Sequence, residues 1–186
     1  MARQTRWSKW MSENIRYALQ YDESSPVKYT YSEYFYNTVQ NGQGIIDVVG
    51  KYHKKDKLSD SIVVEIKSSL PDLNSGMGQN FIGKYNFYAT DSGFIDKLVG
   101  LRKDFCIKNG VGILLVNDDG TLKTLIPAKN GKYTKAFSSN FDKFSTDDDV
   151  ESFLQLQSSL NKCGAMQINR FKTEYRKGFM YETGLL

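Results

Sequence analysis

The sequence predicts an α/β fold, a mixed β-sheet flanked by helices. Three observations lead there. Two apolar runs, "IIDVVG" (45–50) and "SIVVEIKSS" (61–69), have the length and β-branched content of buried strands. Two segments, 6–20 and 93–108, repeat apolar residues at helical spacing. Strand and helix patterns then alternate along a chain of 186 residues, a length that suits one domain.

In chain order, Trp7, Trp10, Met11, Ile15, Ala18 and Leu19 share one stripe. That predicts an amphipathic helix over 6–20 with a basic outer face. "SSP" at 24–26 ends it. "VKYTYSEYFYN" alternates aromatic residues as a strand does, and "NGQG" (41–44) reads as a turn. The two apolar strands follow, joined by a basic, polar connector. "LPDLNSGMGQN" reads as a Gly-containing loop and "KYNFYAT" as a strand. The helix over 93–108 stops at Asn109-Gly110. "VGILLV" (111–116) is a buried strand that "NDDG" turns into "TLKTLIP", giving a hairpin. After a polar stretch, Thr146 with Asp147, Asp148 and Asp149 opens a further helix, the acids matching its N-terminal dipole. The chain is therefore expected to be a single domain, with a core over about 6–126 and a helical, basic extension over about 146–186.

Composition removes several classes of function. His53 is the only histidine, which excludes His-pair zinc sites and nucleases built on several histidines. Cys106 and Cys163 lie far apart in no metal spacing, so a reducing, cytoplasmic setting is expected. No apolar run approaches a transmembrane length, and the basic N-terminus has no secretory core, so no membrane partner is expected. The net charge of +4 permits nucleic-acid binding without requiring it.

"SIVVEIKSS" carries Glu65 and Lys67 inside an apolar run. Pairing it with "IIDVVG" through a connector symmetric about Asp56 sets Asp47 opposite Glu65. Alternation along each strand then puts Ile46, Val48, Val64 and Ile66 on one apolar face. The other face holds Ile45, Asp47, Val49, Val63, Glu65 and Lys67. Directly opposed residues have Cβ atoms roughly 4.5–5.5 Å apart. Two carboxylates at that separation repel unless a hard divalent cation lies between them. Lys67, one step further on the same face, reaches toward such a cation's water or a phosphate. The Ile66 carbonyl is a further candidate ligand. The set suits metal-assisted phosphodiester hydrolysis, with Lys67 open to either general-base or charge-stabilising duty.

"IIDVVG" followed by "VVEIKSS" resembles the metal-binding core of the PD-(D/E)xK nuclease superfamily, the restriction-endonuclease-like fold. "EIKSSLPDLNSGMGQNFIGKYNFYAT" is most similar to small phage, prophage and DNA-repair (MmcB-like) members. The resemblance covers roughly residues 6–126. It implies that Asp47 and Glu65 bind Mg²⁺ or Mn²⁺ and that Lys67 is the catalytic lysine. The sequence has Ile46-Asp47 where the motif has Pro-Asp. Its literal Pro71-Asp72 follows the E-x-K and reads as a decoy. The resemblance also implies a further acid, Glu33 or Glu13 with Glu33 preferred, and a polar residue after the E-x-K, which Gln79 fits.

The implied partner is DNA. Lys51, Lys54 and Lys55 in the connector and Arg170, Lys172 and Arg176 in the tail are candidates for its phosphates. Tyr29, Tyr31, Tyr34 and Tyr36 could stack on bases or pack across strands. Two functions follow: a Mg²⁺-dependent deoxyribonuclease, or a module that keeps the fold and binds nucleic acid without cutting. A homodimer that shares recognition fits the small size.

Overall fold

Six strands lie side by side in chain order, one helix leads into them and two more lie on the connections between them. The architecture comes from a computed structural model, which describes residues 6–21, 27–38, 42–76 and 79–137. The expected helix from Thr146 and the basic tail with Arg170, Lys172 and Arg176 lie outside the described residues.

Helix α1 (Arg6–Tyr21) precedes β1 (Tyr29–Thr38), β2 (Gly42–Lys51) and β3 (Ile62–Ile66). These strands form an antiparallel meander. A single 3-10 turn, Leu58–Asp60, leads into β3. A short helix α2 (Leu70–Asn74) and a loop carry the chain to β4 (Tyr85–Asp91), parallel to β3. Helix α3 (Ile95–Asn109) makes the crossover to β5 (Gly112–Val116), parallel to β4, and β6 (Leu122–Ile126) returns antiparallel. A small separate hairpin, β7 (Ala128–Asn130) and β8 (Tyr133–Lys135), follows. Among the described residues, no helix is long and apolar enough to cross a membrane.

The sheet is mixed and its strands β3 to β5 are buried, which is why they read as nearly continuous apolar runs. Helix α1 covers one face: a Cβ on Gly50 would meet Leu19 and Val27 at 3.3 Å, so glycine lets α1 approach the sheet. On the other face, Leu98 and Cys106 of α3 pack with Leu73, Tyr88, Val111 and Ile113. Helix α3 ends at Gly110, which adopts the left-handed conformation and donates its N–H to Cys106.

Several sequence expectations need correction. Gly42, Gln43 and Gly44, expected in a turn, belong to β2 and pair with Thr38, Asn37 and Tyr36. Gly44 is at a place of close approach, where a Cβ would lie 2.8 Å from the Tyr36 hydroxyl. "LPDLN", expected as loop, is α2: Ser69 caps it, accepting from the Asp72 N–H, and Pro71 suits its first turn. The polar stretch after β6 holds β7 and β8. Helix α1 buries Trp10 through Arg16 almost continuously, so Arg16 is not part of an outer basic face, while Trp7 is 41% exposed.

Candidate active site

The expected register of β2 and β3 is the observed one: Val48 pairs with Val64, Val49 with Val63 and Gly50 with Ile62. Asp47 and Glu65 are next in line, and there the ladder stops. The reason is visible in the side chain of Asp47. Its Oδ2 accepts from the Ile66 backbone N–H at 2.7 Å, taking the place of a main-chain carbonyl.

The same level is irregular in β1. Ser32 pairs with Val48 and Tyr34 with Ile46, so Glu33 stands level with Asp47. Glu33 has φ of 48°, an unusual conformation for a residue with a side chain. The irregularity breaks the strict alternation assumed for these strands. Ile46 packs with Tyr36, Val49 and Val63, not confined to the face of Val48 and Val64 as expected. Ile45 is 37% exposed.

Glu65 and Lys67 are buried, at 1% and 3% exposure, and Asp47 is partly so. Burial raises both carboxyls above their ordinary range. For Glu65 the charge of Asp47 adds to burial, and its pKa is pushed up to about 9. Asp47 is raised less freely, because the Ile66 N–H and then Lys67 favour its charged form. The Asn80 backbone weakly favours the charged form of Glu65. Yet Glu65 Oε1 is buried without a hydrogen-bond partner. An orphaned oxygen beside a second carboxylate is the donor set a hard cation takes, so the residues present fit a divalent metal ion.

Lys67 follows the end of β3, its N–H bonded to Ala89 O at 2.9 Å. Its Nζ is 3.1 Å from Asp72 Oδ1. Asp72 is the residue that sequence reasoning set aside. The signal was present in "SLPD": a Ser cap, a Pro and an acid in the first turn predict a helix that folds Asp72 back toward the preceding lysine. Asp72 also acts on Asp47, raising its pKa. Asp47, Glu65, Lys67 and Asp72 thus form one electrostatic cluster at the carboxyl end of β3.

The remaining candidates are placed as follows. The carboxylate of Glu33 is on an exposed residue. Glu13 is engaged elsewhere: Arg16 Nη1 donates to both its oxygens at 2.7 and 3.0 Å, and burial raises its pKa despite that partner. Among the described residues, no group of three or more His, Cys, Asp or Glu side chains is arranged around a metal position. Ile66 is the last residue of β3, and its N–H is the group held by Asp47. Gln79 Nε2 donates to the Leu73 carbonyl at 3.4 Å, so its amide ties the loop to α2. Phe81 in the same loop sets its ring edge-on against Tyr88, 4.9 Å between centroids.

Lys51 is buried. Its Nζ bonds the Tyr34 hydroxyl at 3.2 Å and lies 4.8 Å from the Tyr34 ring centroid. Lys54 and Lys55 are exposed in the connector. Tyr31 and Tyr34 pack edge to face at 5.6 Å. Compared with protein-family models, curated proteins and solved structures, the chain matches none.

Proposed function

We propose that this chain is a metal-dependent nuclease that hydrolyses DNA phosphodiester bonds at the Asp47, Glu65 and Lys67 cluster. The observation that carries the reading is the carboxyl pair. A buried acid with an orphaned oxygen lies beside a partly buried one, and a buried lysine acts on both. Such a pair is costly to keep in a purely structural role. The resemblance of "IIDVVG…VVEIKSS" to the PD-(D/E)xK superfamily supports the same reading.

Asp47 and Glu65 would hold a Mg²⁺ or Mn²⁺ ion. When bound, that ion supplies Lewis-acid polarisation of the phosphoryl oxygen. Glu65 must lose its proton to serve as a ligand, and Asp47 stays oriented by the Ile66 N–H. Lys67 sets a positive charge where negative charge develops on the phosphate. The exposed Lys54 and Lys55 supply charge for the nucleic-acid backbone.

The test is cleavage of plasmid, linear duplex and single-stranded DNA with Mg²⁺, Mn²⁺ or chelator. The expected result is metal-dependent cutting, lost by a factor of about 10²–10³ in Asp47→Asn and Lys67→Ala. A wild type inert on every form, or variants that cut equally well, would sink the reading. Salt-dependent DNA affinity without turnover would instead identify a non-cleaving binding module.

A further inference from the structure

We propose that Asp72 is a positioning residue for Lys67, holding its ammonium at the mouth of the carboxylate cleft. The proposal rests on the nuclease reading and extends it to a residue outside the E-x-K pattern.

The lysine needs a tether. Its backbone is fixed to β4 through Ala89, but four methylene groups separate that anchor from the charge. The side chain is only 4% exposed, so the protein and not water must place the ammonium. Asp72 Oδ1 lies 3.1 Å from it. Asp72 is itself held from two sides. Its Oδ2 accepts from the Ser68 N–H at 3.4 Å, and its own N–H donates to Ser69 Oγ at 3.4 Å. Both carboxylate oxygens are therefore engaged, one on the α2 start and one on the lysine. Pro71 stiffens the first turn between them.

Position gives the pair its use. The Asp72 side chain is 39% exposed, whereas Glu65 is buried. Asp72 thus ties the buried ammonium to a carboxylate that is open to solvent. A divalent ion held by Asp47 and Glu65 would repel the Lys67 ammonium. The Asp72 carboxylate, 3.1 Å from the ammonium, offsets that repulsion. Without it, the lysine loses the ion pair that opposes displacement when the site fills, and misplaced groups at a reacting centre cost about tenfold to a hundredfold in rate.

Two measurements decide this. In ¹⁵N-lysine-labelled protein, Lys67 should give a protected ammonium resonance, assigned by its loss in Lys67→Arg. It should vanish in Asp72→Asn and persist in Asp72→Glu. No such signal in wild type, or its survival in Asp72→Asn, overturns the tether. In steady-state cleavage at saturating metal, Asp72→Asn should lower kcat about tenfold to a hundredfold, with KM within about twofold. Asp72→Glu should recover part of the loss, and circular dichroism should show both variants folded. An unchanged kcat, or a change in KM alone, overturns the positioning role. If wild type cuts no DNA, the nuclease reading fails by itself, and the ammonium resonance still tells whether Asp72 holds Lys67.

Discussion

Asp47 accepts a 2.7 Å hydrogen bond from the backbone N–H of Ile66, so a carboxylate ends the β2–β3 ladder at the level where Glu65 faces it. One side chain thereby does two things. It satisfies a strand N–H that the diverging β2 leaves unpaired, and it fixes an acid beside a second acid. The cost of that proximity is visible at Glu65, whose pKa burial and then the charge of Asp47 push up to about 9.

Metal-free stability should fall as pH rises. Folded Glu65 keeps a proton up to about 9, owing first to burial and then to Asp47. The unfolded chain releases that proton near the ordinary glutamate value, about 4.3. Between those limits the folded state binds more protons, so stability is fully present below the lower one and is lost as pH climbs toward the upper. Thermal melts in chelator from pH 5 to 9 should show the decline, and Glu65→Gln should flatten it. Wild-type melts that ignore pH in this window would contradict the buried pair. Mn²⁺ affinity, read by calorimetry, should rise over the same range because binding displaces the proton.

Glu13 should matter for folding and not for chemistry. Its carboxylate and Arg16 form a buried ion pair, and Arg16 Nη2 also reaches the Thr30 carbonyl at 3.4 Å. Removing the acid takes away the carboxylate that holds this buried guanidinium from two oxygens. Glu13→Ala should cost about 3–5 kcal/mol in denaturant melts. Cleavage per folded molecule should stay unchanged. A rate loss in a fully folded Glu13→Gln would instead return Glu13 to the site.

Lys51 and its neighbours in sequence should separate in salt dependence. The Lys51 ammonium is spent on Tyr34 and lies over the Tyr31 ring as well, 5.7 Å from its centroid. Lys51→Ala should destabilise the protein by about 1–2 kcal/mol and leave the salt slope of DNA binding unaltered. Lys54→Ala and Lys55→Ala should each lower that slope by about one, with little effect on stability. Fluorescence anisotropy across a salt series checks all three.

Gly112 has no room for a side chain. A Cβ there would lie 2.3 Å from the Phe87 ring and 2.8 Å from the Ala128 backbone nitrogen. Phe87 is fully buried and packs against Phe137, so the ring has nowhere to yield. Gly112→Ala should cost about 1–3 kcal/mol or more. A variant as stable as wild type would mean that β4 and β5 are not in the described register.

The sequence by itself determined the α/β class, the order of the main elements, the β2–β3 register and the choice of Asp47, Glu65 and Lys67. These rest on period-2 and period-3.6 patterns and on two acids set in apolar strands, all of which are local. What only the tertiary structure decided depends on groups distant in sequence or on backbone irregularities. Glu33 adopts the left-handed region, and Ile46 packs with Val49 and Val63 as well; no apolar pattern records either. Lys51 looked like a phosphate contact until Tyr34, 17 residues away, took its ammonium. Arg16 reads as an outer charge on a helical wheel, but the fold buries it beside Glu13 and against β1. Asp72 lies between these cases. Its capping pattern is local, but its partner is known only once α2 folds back against the end of β3 and brings its carboxylate onto Lys67.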